Sequence, residues 1–198
     1  MRLRAPAPVG RPLVLDGDEL RDGETVVARA SLVAPLELQP PSAVGVADAE
    51  RARERFPWRE DSPFPGCFAC GTERPDGLRC QAGPVDGRDG LWATPWLPDA
   101  RDPALAFAAL DCPSACAAVP YGSPPHVLAA LTAHVHRAPE PGAPHVVVSW
   151  ALGVEGRRRL AASALLTAAG EPIAVARATW AALGRSTDVR VASPLSGG

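Results

Sequence analysis

The chain has 198 residues, enough for one ample domain or for a domain of about 130 residues with an N-terminal extension, and too few for a second independent catalytic domain. A formal charge of −2, with arginines scattered rather than clustered, leaves no basic footprint for nucleic acid, and no window is apolar for the roughly 18 residues a membrane span needs. All 20 basic residues are arginine, so lysine Schiff-base chemistry and a P-loop lysine are both excluded.

The start, Met1-Arg-Leu-Arg-Ala-Pro6, is basic, but no apolar run of signal-peptide length follows it. Five cysteines, Cys67, Cys70, Cys80, Cys112 and Cys116, are then expected as reduced thiols in a cytoplasmic protein, and their odd number argues against a complete disulfide framework. Residues 1–61 read as an N-terminal extension. It holds a short apolar stretch at Leu13 to Leu15, a strand over Thr25 to Val33, a Pro-punctuated segment, and an exposed helix over Val46 to Phe56 supported by the opposite charges Asp48/Arg51 and Glu50/Arg53. Pro57 ends that helix.

Residues 62–184 read as the main domain. It opens with Cys67-Phe-Ala-Cys-Gly71, a turn at Pro75-Asp-Gly77, and short strands near Leu78 to Gln81 and Leu91 to Trp96. Asp102-Pro103 is a helix start, with Asp as N-cap and Pro at the first helical position. The residues that follow, Leu105, Ala106, Phe107, Ala109 and Leu110, are apolar nearly all round and mark a buried helix. Strands are expected over Val127 to Arg137, His145 to Leu152, Leu160 to Thr167 and Ile173 to Leu183. The turn residues Gly156 and Gly170 make the last three into two hairpins in series. A tail of little apolar content, residues 185–198, is expected to be flexible. One long helix followed by an antiparallel meander, with no βαβ alternation, predicts an α+β fold in which the sheet wraps the helix.

The order of these features resembles the hotdog-fold thioesterase superfamily. The features are Cys67-Phe-Ala-Cys-Gly71, Gly77-Leu78, a tryptophan-containing strand, a helix carrying Ala109-Leu-Asp111, and a last strand ending Ala174-Val-Ala-Arg-Ala-Thr-Trp180. The resemblance covers roughly Ser62 to Leu183. It implies a single hotdog domain and an acyl-CoA or acyl-carrier thioester as substrate. It also implies a homodimer or homotetramer with active sites between subunits, and hydrolysis by a helix carboxylate without a serine triad. No cofactor is required.

In the phenylacetyl-CoA type of that superfamily the helix carboxylate sits where Asp111 stands here, which implies Asp111 as base or nucleophile. The same type has His-Gly-Gly about nine residues earlier, and this chain has Asp102-Pro-Ala104 instead. Asp102, Ala104, Phe107 and Ser114 are the implied substrate-binding residues, with the helix start polarising the thioester carbonyl. A second reading of the residues makes Asp111 the cap of a helix that breaks and restarts at Pro113. At the level of the whole protein, the altered helix start equally suits a non-catalytic hotdog protein that binds an acyl or aromatic ligand or a partner protein.

Cys67-x-x-Cys70 supplies half of a zinc site, with Cys80 as the nearest third ligand; small buried thiols, a redox pair and a zinc-stabilised interaction module are the competing readings. His134 and His136 share one face of a strand, with His145 expected across the sheet, either as a metal face or general base or as ordinary exposed strand residues. The tryptophans at 92, 96, 150 and 180 are expected in the core or at a subunit interface.

Overall fold

The computed structural model describes residues 1–8 and 10–183; the tail expected over residues 185–198 lies outside them. Ten strands and three helices follow in the order β1 (Arg2–Leu3), β2 (Val14–Asp16), β3 (Glu19–Asp22), β4 (Thr25–Arg29), α1 (Val46–Glu54), β5 (Gly83–Pro84), β6 (Leu91–Trp96), α2 (Pro103–Ala109), α3 (Asp111–Ala118), β7 (His126–Val135), β8 (His145–Glu155), β9 (Arg158–Thr167) and β10 (Pro172–Ala182). All ten strands join one antiparallel sheet in the order β2-β3-β4-β1-β7-β10-β9-β8-β6-β5.

The long strands β7 to β10 alternate cleanly, so each face of the sheet has its own apolar set. Val147, Leu165, Ala176 and Trp180 point to one face and pack with Ala106, Ala109 and Leu110 of the central helical segments. Val146, Val148, Ala164, Leu166 and Val175 point to the other, where they meet Ala49 and Ala52 of α1. An antiparallel sheet curled over a buried central helix is the hotdog fold.

Three local expectations are corrected and one alternative is decided. The long central helix over residues 103–118 carries one interruption, as the breaking reading of Pro113 expects: α2 ends at Ala109, Leu110 adopts φ −79° and ψ −12°, and α3 restarts at Asp111. In an unbroken helix Pro113 would lack its N–H and its ring would strike the Ala109 carbonyl; in the first turn of α3 neither cost arises. No strand forms over Leu78 to Gln81, because Arg79 takes a left-handed φ of 56° that breaks the pleat, and the pairing moves to β5. The strand expected to reach Val33 stops at Arg29. Finally, α1 is not merely an exposed helix. Ala49 and Ala52 are fully buried, and the helix approaches Gly83 so closely that a Cβ there would lie 1.9 Å from the Ala52 carbonyl oxygen.

The N-terminal hairpin strands are not a separate appendage. Arg2 of β1 pairs with Ala130 of β7, and β1 pairs in turn with β4, so the hairpin extends the hotdog sheet at one end. The Met1 ammonium donates to the Leu131 carbonyl at 2.8 Å, which pins the junction.

Candidate functional site

The site forms where α3 begins against the sheet. Ser149 of β8 and Ser163 of β9 are cross-strand partners, and both point at the helix. Ser163 Oγ donates to the Leu110 carbonyl at 2.7 Å and Ser149 Oγ to the Pro113 carbonyl at 2.6 Å. Ser114 Oγ donates to the Asp111 carbonyl at 2.6 Å and accepts from Trp180 Nε1 at 2.9 Å. These are fully buried hydroxyls, each donating to a backbone carbonyl at the helix break or in the first turn of α3. They hold the first turn of α3 in one position.

Asp111 stands in that first turn. Its side chain makes no capping bond: the N-cap residue is Leu110, and Asp111 Oδ1 is buried without any hydrogen-bond partner. The capping reading of Asp111 is therefore set aside. Burial, and after it the charge of Cys67, raises the Asp111 carboxyl from an ordinary 3.8 to about 7. A helix N-terminus favours the carboxylate by only about 0.3–1 kcal/mol, less than one pKa unit of about 1.4 kcal/mol, so burial prevails.

Beside α3 lies a cavity of about 280 Å³, walled by Phe56, Trp58, Cys70, Cys112, Tyr121 and Trp180. Cys112 and Ala115, which follow Asp111 on α3, form part of its wall. The space falls just below the roughly 300–1,000 Å³ of ordinary small-molecule sites.

The other expected residues are placed differently. Asp102 caps α2, its carboxylate accepting from Ala104 N at 2.8 Å, so the amide expected to polarise a substrate carbonyl is already occupied by the chain itself. Phe107 is half-buried and faces a separate groove between β7 and the segment after β4. The Ser114 hydroxyl is committed to Asp111 and Trp180 inside the core. None of the five expected residues lines the cavity beside α3, whose nearest wall residue to Asp111 in the chain is Cys112; among the five, Asp111 alone keeps a buried side-chain oxygen without a partner.

The histidines divide. The rings of His134, in β7, and His136, just past its end, lie 4.0 Å apart, and burial together with the His134 ring lowers the pKa of His136. His145 is not with them. It is buried on β8, where it packs on Trp96 and shares a 2.8 Å hydrogen bond with the Ala143 carbonyl.

The thiol grouping also differs from the expected one. Cys67, Cys70 and Cys112 bring their sulfurs within 4.8 Å of one another, with Cys67 and Cys112 at 3.6 Å. Cys80 stays apart, fully buried with its thiol toward the Leu78 carbonyl. Hydrogen bonds from Cys112, from Cys70 and from the Ala69 and Cys70 amides hold Cys67 far below the ordinary thiol range. Cys112 is pushed up beside it, first by its bond to Cys67, and Cys70 is pushed up as well by its bond to Cys67 and by burial. Chain spacing pointed to Cys80; Cys112 is 45 residues from Cys67, and only the docking of α3 brings it there.

No family model and no curated protein matches this chain. Among solved structures it is similar to a thioesterase superfamily protein at 18% identity, over 56% of this chain and 60% of that one, with a TM-score of 0.46. It is also similar to zebrafish thioesterase superfamily member 2, at 16% identity over 72% and 100%, TM-score 0.49. A hypothetical thioesterase from Streptococcus pneumoniae, solved with coenzyme A, matches at 11% identity over 48% and 77%, TM-score 0.41.

Proposed function

We propose that this chain is an acyl-thioester hydrolase of hotdog type, acting on acyl-CoA or an acyl-carrier thioester, with Asp111 as general base or nucleophile and a homodimer as the working unit. The observation that carries the reading is Asp111 Oδ1, a buried carboxylate oxygen with no partner, held at a pinned helix start one residue before Cys112, which walls an apolar cavity. Buried polar atoms are normally paired, and an orphan at a site like this points to a group kept free for substrate or water. The cavity has room for a short acyl or aromatic group, and the first turn of α3 replaces the occupied start of α2 as the positive end facing the thioester carbonyl.

Hydrolysis of a panel of short, long and aromatic acyl-CoAs tests this. Asp111→Asn keeps the side-chain shape, and loss of base or nucleophile is expected to lower kcat by about 10²–10⁴-fold while the far-ultraviolet circular dichroism stays unchanged. A rate unaltered by the substitution rejects Asp111. Inactivity of the wild type across the whole panel favours the second reading, a hotdog protein that binds an acyl or aromatic ligand without hydrolysing it. The occupied Ala104 amide speaks for that second reading.

A further inference from the structure

We infer that Cys67, Cys70 and Cys112 form a binding site for a zinc ion, with the three sulfurs as its protein ligands. Three soft sulfur donors within 4.8 Å of one another are spaced to share one ion, and thiolate sets of this kind select zinc over the hard cations.

Proximity alone does not distinguish a metal site from packed thiols, but the backbone around Cys67 adds an independent observation. The chain from Cys67 to Gly71 closes a tight knuckle, Gly71 N donating to the Cys67 carbonyl at 2.8 Å. The Cys67 and Cys112 sulfurs lie 3.6 Å apart, close to the roughly 3.8 Å between two sulfurs that each sit about 2.3 Å from one tetrahedral ion. The knuckle admits only glycine at its end, since a Cβ on Gly71 would lie 2.3 Å from the Pro65 carbonyl oxygen and 2.5 Å from that of Cys67.

The turn is also held from behind. Leu78 N donates to the Phe68 carbonyl and Cys80 N to that of Ala69, both at 2.8 Å, and the Gln81 side-chain amide reaches the Cys70 carbonyl at 3.2 Å. A site organised before the ion arrives loses less freedom on binding it. Cys67 and Cys70 are only partly buried, which supplies an entry path, while buried Cys112 ties the knuckle to α3. Three protein ligands leave one position of a tetrahedral ion for an outside ligand. Cys70 and Cys112 both wall the apolar cavity, so that position is open to a small molecule held there.

The test uses the intact chain under reducing conditions and does not depend on hydrolysis, so it stands or falls apart from the proposed activity. Chelator-treated protein titrated with cobalt(II) is expected to develop thiolate-to-cobalt charge-transfer absorption saturating at one ion per chain, and zinc is expected to displace the cobalt. Cys112→Ser is expected to weaken binding by more than the roughly 10–100-fold typical of losing an outer-shell partner, whereas Cys80→Ala leaves it unaltered. Should Cys112→Ser fail to fold, Cys67→Ser, at the exposed side of the cluster, takes its place. Absence of the band in reduced wild type, or equal losses from Cys80→Ala and Cys112→Ser, overturns the inference. A chain isolated two hydrogens lighter, which after reduction still takes up no cobalt, overturns it in favour of a disulfide-forming pair.

Discussion

Ser163 and Ser149 show how single hydroxyls set the position of a helix. The interruption at Leu110 and the first turn of α3 lie in a core from which water is excluded, and a carbonyl left without a donor there is costly. Serine side chains from neighbouring strands donate to the Pro113 and Leu110 carbonyls at 2.6 and 2.7 Å. Ser163→Ala is expected to destabilise the protein by about 1–3 kcal/mol, the cost of stranding the Leu110 carbonyl. Urea unfolding reads this as a lower midpoint at unchanged m-value. A midpoint within error of wild type would mean that the Leu110 carbonyl finds another donor. Asp111 is the opposite case at the same scale, a polar atom left without a partner among serines and an indole that are all satisfied.

At the scale of elements, the sheet is covered on both faces, and the two covers differ in kind. The central segments present large side chains such as Leu110 and Phe107, whereas α1 presents alanines and therefore sits close to the sheet. That closeness depends on Gly83. A methyl group at 83 would meet the Ala52 carbonyl, which is backbone and cannot rotate away, so the helix must lift and uncover Val44, Ala49 and Val85. Gly83→Ala is expected to cost about 1–3 kcal/mol or more, seen as a lowered Tm together with faster amide exchange through Val46–Glu54. Faster exchange elsewhere with α1 unchanged would locate the strain in another element. The Cys67 knuckle is a second element whose geometry rests on a glycine, Gly71, and it is the one that carries the proposed ion.

Across the whole molecule, cohesion is uneven. Strands β8, β9 and β10 are long, paired on both sides and rich in buried residues. By contrast β2 is wholly exposed, and the hairpin strands connect to β7 through the short contact of Met1 and Arg2 with Leu131 and Ala130. Few buried apolar contacts mean a low free energy of local opening. Native-state hydrogen exchange is therefore expected to show Val14–Arg29 exchanging well before β8 to β10, whose central amides exchange only with global unfolding. Equal protection in the two regions would show that the hairpin is cooperative with the core.

Much of this architecture was present in the order of residues. Strict alternation in His145 to Leu152 and the turn glycines at 156 and 170 set the strands of the meander, because side-chain direction in a strand depends only on neighbours two apart. Pro113 set the break in the helix, because its missing N–H is a local property. The α+β class and the wrapped helix followed from those local facts.

What local pattern could not carry was who meets whom. Cys112 joins Cys67 across 45 residues, Ser163 meets Leu110 across 53, and Trp180 reaches Ser114 across 66. None of these pairs shares a turn or a strand register that spacing could reveal. Sequence proximity proposed Cys80 as the third thiol, and the family resemblance proposed the Asp102–Ala104 turn as the polarising end. The fold instead buried Cys80 elsewhere, closed that turn on its own cap, and brought Cys112 to the knuckle. The residues themselves determined the strands, the helices and the presence of one carboxylate inside an apolar helix. Only tertiary packing decided that this carboxylate has no partner, because burial and hydrogen-bond supply at one atom depend on every element that closes over it.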